Sequence, residues 1–538
     1  MSDERAPVLI VGGGLSGLTT ALFLAWRGVQ PILVERHPGP SFHPRAHRVN
    51  ERTMELMRAV PGLEDALVDA GPWAIEDFAM VIGATVTGPE FHRMNLAEEA
   101  EAVIDGEITP VRVSSAGQDQ IEPVLLKFAK EQGADVRFGT ELVSFRQDDD
   151  GVAAIIRDRT SGAETTVRAD YLVAADGHRS TIREGLGIGT HGVGTLSHNI
   201  NVTFESDALP RLMKGKEATL YYLRNPKFTG SYIGTHIPER GSVSFDYDPV
   251  KESPDGFDAA KCLQRVRAAF GVWNLEATIV ETLPWEMASR VADRLRDGRI
   301  FIIGDAAHQM TPAGGLGGQT AMQDGYDIAW KLAAVLQNEA GPGLLDTYEE
   351  ERAPVAEVTV ARTVVNYLER LAPHRTDIPR DVKADNIGVT IGYRYRSRAI
   401  LTEEPDDGLP TENPREPSGR PGTRGAHVVL ERDGARLSTI DLSGAGFVLL
   451  AGPDGTAWTQ AAGDLAAPLI AHRVGGDLHD VEGRWQERYG VGPSGAVLLR
   501  PDGYIAWRSA DAVAEPKAVL DGVLRRVRCE PTSERSGR

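Results

Sequence analysis

VLIVGGGLSGLTTALFLAWRGVQPILVE, residues 8–35, holds an apolar run, three spaced glycines and a second apolar run closed by an acid. PVLIV (7–11) predicts a buried parallel strand, and GLTTALFLAWRG (17–28) predicts a helix with an apolar face. Gly12, Gly14 and Gly17 stand between them in G-x-G-x-x-G spacing, with Leu15 and Ser16 at the helix start. The first glycine permits the tight turn, the second lets the backbone approach a pyrophosphate, and the third lets helix and strand pack closely. The helix N-terminus attracts the phosphate charge. The next strand, QPILVE, ends in Glu35, an acceptor suited to ribose hydroxyls. That acid favours an unphosphorylated adenosine ribose, as in NAD or FAD. Arg36 beside it is counted with the cofactor-binding residues, as a solvated charge rather than a 2′-phosphate ligand. The glycines alone are a weak signal, but strand before, helix after and acid beyond make a dinucleotide site. Between NAD and FAD they do not choose.

Two later stretches bear on that choice. YLVAADGHRSTIREGLGI (171–188) runs a strand into Asp176–Gly177, followed by Arg179 and Arg183. RIFIIGDAAHQMTPAGGLGG (299–318) runs a strand into Gly304–Asp305, then Pro312 and a cluster of glycines. The helix GQTAMQDGYDIAWKLAAVL (318–336) follows.

Around these motifs the 538 residues allow several domains, and 41% hydrophobic with 25% charged residues describes an ordinary globular chain. A net charge of −19 argues against nucleic-acid partners. No run approaches the ~18–20 apolar residues of a membrane span. The start MSDERAP leads straight into a strand, so no secretory signal is expected. Cys262 and Cys529 lack metal or redox spacing, which points to a cytoplasmic protein with no metal site and no disulfide framework.

Residues near 75–110 and 190–290 alternate apolar and polar positions, as in ATLYYLRNP, GSYIGTHI and GSVSFDYD. They predict a mostly antiparallel sheet inserted between the nucleotide-binding segments. Tyr221, Tyr222, Phe228, Tyr232 and Phe245 on it are candidate cavity residues, although most such aromatics are core. EEPDDGLPTENPREPSGRPGTRG (403–425) reads as a linker or wrapped loop. Short strands, a hairpin turning at Asp502–Gly503 and a final helix complete the chain.

Together the three nucleotide motifs resemble the class A FAD-dependent aromatic hydroxylases of the para-hydroxybenzoate hydroxylase fold, over most of residues 6–400. Within that family YYLRNPKFTG, IGYRYRSRAIL and SGRPGTRGAHVVL are most similar to the bacterial aromatic polyketide hydroxylases of the aklavinone 11-hydroxylase type. The resemblance implies an α/β chain: a Rossmann-like FAD-binding domain (1–74, 111–189, 291–400), the inserted substrate sheet (75–110, 190–290), a linker (401–424) and a thioredoxin-like domain (425–538). It places Asp176 and Gly177 toward FAD and a transient NADPH or NADH, and Asp305 on the ribityl chain. Gly304, Pro312, Gly314, Gly315 and Gly317 would lie along the flavin, bound non-covalently. Gln319 stands where relatives carry Asn, and Leu316 where Gln or Met is usual, so Leu316 is expected to contribute backbone. Arg45 and Gln118 carry over as FAD contacts, with Leu142 lending backbone to adenine. His308 is expected to support structure rather than act as a base.

The implied function is NAD(P)H- and O₂-dependent hydroxylation of a multi-ring aromatic polyketide through a flavin C4a-hydroperoxide, in antibiotic biosynthesis. Tyr222 and Arg396 are the candidate catalytic side chains. A related monooxygenase that inactivates a tetracycline or rifamycin is the alternative, and a flavin-binding partner of a polyketide assembly is another. No W-x-W-x-I-P run marks a halogenase. AGPDGTAW lacks the cysteine pair of a working thioredoxin, so the last domain is read as structural, in a monomer or homodimer.

Overall fold

Val8, Leu9, Ile10 and Val11 are buried at the inner end of the strand Ser2–Val11. This strand pairs in parallel with Ile32–Glu35 on one side and Glu164–Ala174 on the other. In the computed structural model, which describes all residues except 1, 43–46, 72–78, 96–105, 217, 467–468 and 532–538, it is central to an eight-stranded sheet. Across that sheet the order is Arg296–Asp297, Ile300–Ile302, Glu164–Ala174, Ser2–Val11, Ile32–Glu35 and Asp135–Phe138. The hairpin Thr140–Asp148/Gly151–Asp158 joins Glu164–Ala174 antiparallel. Strands buried on both faces read as continuous apolar runs, which is why VLIV and IFII carry no alternation. Helix α1 (Leu15–Trp26) is buried over Leu15–Ala25; α2 (Glu51–Met57) packs on the later helix Gly317–Leu336, and α3 (Gln118–Glu131) packs beside α1.

A second eight-stranded sheet is antiparallel except where Leu220–Asn225 pairs in parallel with Ala79–Gly83. One face lies against helix α4 (Ala259–Phe270). Tyr221, Leu223, Phe228, Tyr232, Val243 and Phe245 face it and form one core with Phe270. Phe204 and Tyr232 meet Phe270 edge to face, with ring centroids 5.8 and 4.9 Å apart. Each such buried ring contributes roughly 2–3 kcal/mol.

The chain then returns to the first sheet with α5 (Gly317–Leu336), packed on α1, and α6 (Thr347–Arg370). The end of α6 meets the second sheet, where Val364 and Leu368 share a cluster with Leu196 and Met287.

A four-stranded sheet ordered Ile470–Arg473, Val448–Ala451, Ala496–Leu499, Ile505–Ser509 forms the C-terminal unit. The first pair is parallel and the others antiparallel, with α7 (Thr456–Gly463) between the parallel strands and α8 (Pro516–Val527) last. That order and those directions are consistent with the thioredoxin-like expectation.

The stretch before it does not hang free. Pro421–Gly425 is buried, and Arg424 donates twice to Glu55 on α2, at 2.8 and 2.6 Å. Tyr395 stacks on Tyr504 with centroids 4.1 Å apart. No helix among the described residues is long and apolar enough to cross a membrane.

Candidate active site

The three glycine motifs converge at one end of the first sheet. Gly12 has φ 111°, and a Cβ there would lie 2.1 Å from the Ala175 carbonyl oxygen. A Cβ on Gly17 would lie 1.9 Å from the Gly12 carbonyl oxygen. These two glycines are therefore fixed by close backbone approach. Gly14 differs. Among the described residues a Cβ there would meet only Glu122 Oε1, at 3.8 Å, so on that side it is open.

Gly14 caps α1, and no side chain hydrogen-bonds at that N-terminus. Its first-turn N–H groups, with Leu15 and Ser16 behind them, are left for an anion. Gly304 adjoins the same turn: a Cβ on it would come within 2.7 Å of Ser16 Oγ. Asp176 is half-buried and accepts from the Ile182 N–H at 3.2 Å through Oδ2, while its buried Oδ1 has no partner among the described residues. Burial pushes its carboxyl pKa up.

Glu35 Oε2 accepts the Gly13 N–H at 2.7 Å, while Oε1 takes the His37 N–H at 2.8 Å. The carboxylate is thereby aimed at the strand end. Arg36 is exposed, with its carbonyl held by Arg159 at 2.9 Å. Gln118 opens α3 and donates to Glu122 Oε1 at 2.6 Å; Glu122 Oε2 accepts from the Ser41 N–H at 2.7 Å. Leu142 is half-buried beside an irregularity in its strand. Arg45 lies outside the described residues.

Asp305, Pro312 and Gly315 are exposed along the stretch leading to α5, and Gly177 and Gly315 take positive φ (80° and 65°) with open space at Cβ. Gly317 starts α5, which also lacks a side-chain cap. The Leu316 side chain is buried. Gln319 is buried too: it accepts from the Asn50 N–H (3.0 Å) and donates to the Arg48 carbonyl (2.6 Å). It thus braces Arg48, a non-glycine residue at φ 82°. An uncapped phosphate-facing helix, an open Gly14 and a partnerless buried Asp176 oxygen suit a dinucleotide. These are the residues that would hold FAD.

His308 sits behind this surface, 1% exposed, with Nε2 2.6 Å from Asp324 Oδ2. The same oxygen accepts the Gly304 N–H at 3.0 Å, and Arg352 donates to Oδ1 at 2.7 Å. Burial would raise Asp324, but Arg352 and His308 outweigh it and hold the carboxyl below its usual range. Arg183 donates to the Ala306 carbonyl at 3.0 Å, tying the second motif to the third.

The second sheet puts most of its aromatics in the core, as expected, and corrects only the character of the face left for a cavity. Tyr221, Phe228, Tyr232 and Phe245 belong to the core under α4. Strand alternation turns Tyr222 to the other face. There it lies in one cross-strand row with Ser231, Ser244, Asn201 and Leu283. Trp285 donates to Ser244 Oγ at 3.3 Å from the same side. That open face is richer in hydroxyl and amide groups than the aromatic, apolar surface expected. Tyr222 is half-buried, and burial raises its hydroxyl pKa against the opposing charge of Arg370.

Arg370 escaped the sequence reading altogether. It ends α6, one turn beyond Asn366, whose amide donates to the Ala313 carbonyl at 3.3 Å. The helix end therefore spans from the glycine stretch to Tyr222. Among the described residues Arg370 forms no ion pair.

Arg396 is the second correction. It donates to Asp406 at 2.6 and 2.8 Å and to the Leu409 carbonyl at 2.9 Å. Arg394 joins Asp407 at 2.5 Å. Both arginines fasten the 401–424 stretch, because the aspartates of EEPDDG fold back on them. The role of substrate ligand is withdrawn from Arg396.

Residues 5–363 match the family described as FAD binding domain, and residues 418–531 match the family described as aromatic-ring hydroxylase, C-terminal. The chain is 44% identical to an aklavinone 12-hydroxylase of Streptomyces purpurascens, over 98% of this chain and 99% of that one. It is 41% identical to a 4-methyl-5-nitrocatechol 5-monooxygenase of a Burkholderia species, over 98% of each. The crystal structure of aklavinone-11 hydroxylase in a ternary complex with FAD and aklavinone matches with a TM-score of 0.91 at 43% identity, covering 98% of this chain and 99% of that one.

Proposed function

The chain belongs to the FAD-dependent aromatic-ring hydroxylases, and on that footing we propose that it adds one oxygen from O₂ to a multi-ring phenolic polyketide, consuming one NAD(P)H. The observation that carries the substrate class is likeness to the aklavinone-bound structure along the whole chain, including the second sheet. Bound FAD supplies the redox chemistry, taking a hydride from NAD(P)H and activating O₂.

The chain's own residues supply position and charge. Gly12–Gly17, Glu35, Gln118, Asp176 and Gly304–Asp305 hold the cofactor without a covalent link. Tyr222, protonated at neutral pH, and Arg370, which has no ion-pair partner among the described residues, meet a ring hydroxyl. A guanidinium there favours the phenolate, which raises electron density on the ring. The Ser231–Ser244–Asn201 row reads the polar rim of the substrate. The protein works in the cytoplasm as a monomer or homodimer, with a C-terminal domain that has no thiol chemistry.

The test is incubation with NADPH, ¹⁸O₂ and two panels, anthracycline-type aglycones and single-ring catechols. The expected result is one labelled oxygen in a multi-ring product, with NADPH oxidation slow until the aromatic is present. Turnover of catechols alone would keep the hydroxylase and move its substrate toward that of the Burkholderia relative. Label arriving from water would overturn the reaction.

A further inference from the structure

Arg500 lies in the hairpin of the C-terminal domain, 0% exposed, and donates to both oxygens of Glu351 on α6, at 2.5 and 2.8 Å. Its remaining bonds go to Asp502, and its guanidinium stands 5.2 Å over the ring of Trp330 on α5. Glu351 also accepts from Lys331 at 2.7 Å and Ser397 at 2.6 Å. The next residue on α6, Arg352, turns the other way, to Asp324 at 2.7 Å and Tyr395 Oη at 3.1 Å. Asp324 in turn holds the Gly304 N–H and His308.

A buried line of charge therefore runs from the C-terminal domain, through two adjacent residues of α6, to the turn that presents Asp305. Asp327, Glu351 and Asp502 converge closely enough to suggest a cation, but the ammonium of Lys331 and the guanidinium of Arg500 already bridge them.

We propose that Arg500 is a positioning residue for the flavin site: by fixing Glu351 it fixes the α6 turn that sets Arg352, Asp324 and the Gly304–His308 segment. The physical reason is that a buried carboxylate stripped of its bidentate partner must move or take a proton. Either response shifts the turn of α6 carrying Arg352. The C-terminal domain is then part of the flavin site's framework, although none of its atoms need touch the cofactor. The inference rests on the FAD assignment above.

The experiment is amide hydrogen exchange on the full-length apoprotein, followed by FAD titration. Arg500→Met should speed exchange across residues 304–308 and weaken FAD binding about 3- to 30-fold. It should also shift the visible flavin band at full occupancy, and Arg500→Lys should recover part of each effect. Tyr395→Phe, which removes only the hydroxyl bonded to Arg352, should give a smaller change of the same kind. Should Arg500→Met not fold, Arg500→Lys and Tyr395→Phe decide alone. Trp458→Leu, in the C-terminal core away from this line, should lower Tm without changing exchange at 304–308. Wild-type exchange and affinity in the Arg500 and Tyr395 variants would overturn the proposal, as would the same change in Trp458→Leu. Faster exchange at 304–308 in a protein that takes up no FAD would sink the flavin reading and leave the coupling standing.

Discussion

The two halves of the candidate site are made of different material. The nucleotide half is backbone: glycines at Gly12, Gly14 and Gly17, two uncapped helix starts and a turn at Gly304. The half proposed to hold the ring is side chain: Tyr222, the Ser231–Ser244–Asn201 row and Arg370. A backbone site fails completely when a side chain intrudes. A side-chain site loses one interaction at a time, because each group acts through its own hydrogen bond or charge.

The sharpest way to break this comparison is Gly14→Val. The added atoms point into space on the phosphate side, so the variant should fold and come out colourless, with FAD uptake lost. Gly17→Ala should instead fail to fold, since its Cβ would meet backbone at 1.9 Å. Purification and a visible spectrum check both. A yellow, fully loaded Gly14→Val protein would refute the backbone assignment.

On the side-chain half, Arg370→Met should keep FAD and lower kcat/KM about 100-fold. Tyr222→Phe, which loses one hydroxyl, should cost about 10-fold. Both losses should shrink when a substrate with a more acidic phenol is used, because less help with its proton is needed. Equal losses with every substrate would mean the pair only shapes the cavity.

Smaller still is a pH effect at the charged junction with the C-terminal domain. Burial pushes Asp327 up to about 6 against the opposing charge of Lys331, with Glu351, Asp502 and Arg500 also facing it. The folded protein thus holds a proton that the unfolded chain releases near pH 4. Its stabilising contribution is complete below that pH and is lost as pH rises toward 6. Asp327→Asn should remove on the order of 2 kcal/mol of that decline, read from denaturant midpoints between pH 4 and 6.5. The Glu351 carboxyl moves oppositely: burial opposes ionisation, but Arg500 and Lys331 lower it from 4.5 to about 2, so its contribution is complete above pH 4.5 and is lost as pH falls from there through about 2. An unchanged pH slope in Asp327→Asn would show the carboxyl to be ionised throughout.

The least effect belongs to Cys529→Ser. Burial raises that thiol to about 11, so no thiolate exists at neutral pH, and turnover should not change. Lost turnover in a soluble variant would restore a redox role to the C-terminal domain.

The same contrast accounts for what the sequence showed. Glycine spacing is legible because close backbone approach at Gly12 and Gly17 admits no other residue. The Tyr221–Tyr222 doublet is not, because alternation guarantees opposite faces without saying which one α4 will cover. Arg396 is a candidate in the sequence as a basic residue able to meet a substrate oxygen, but the aspartates of the next loop claim it. Arg370 ends a long helix with no local signal, and only the packing of α6 on the second sheet brings it to Tyr222. Gln319 departs from the family pattern, and its side chain holds the Asn50 N–H and the Arg48 carbonyl. The stretch 401–424 has the composition of a linker, yet its end is buried, since Arg424 supplies the charge that Glu55 needs there.

The strand order of the first sheet also governs when this protein can assemble during synthesis. Ser2–Val11 is made first, yet its long partner is Glu164–Ala174, whose own outer neighbour is Ile300–Ile302. At ribosomal speeds of roughly 5–20 residues per second, the founding strand waits tens of seconds for the sheet to close. The whole second sheet but its short edge strand His308–Gln309 emerges before Gly304–Asp305 does. Arg500 comes later still, so its buried junction with Glu351 on α6 is among the last to form. Chains stalled after residue 310 are therefore expected to hold both large sheets but to bind FAD poorly, whereas release of the full chain completes the pocket.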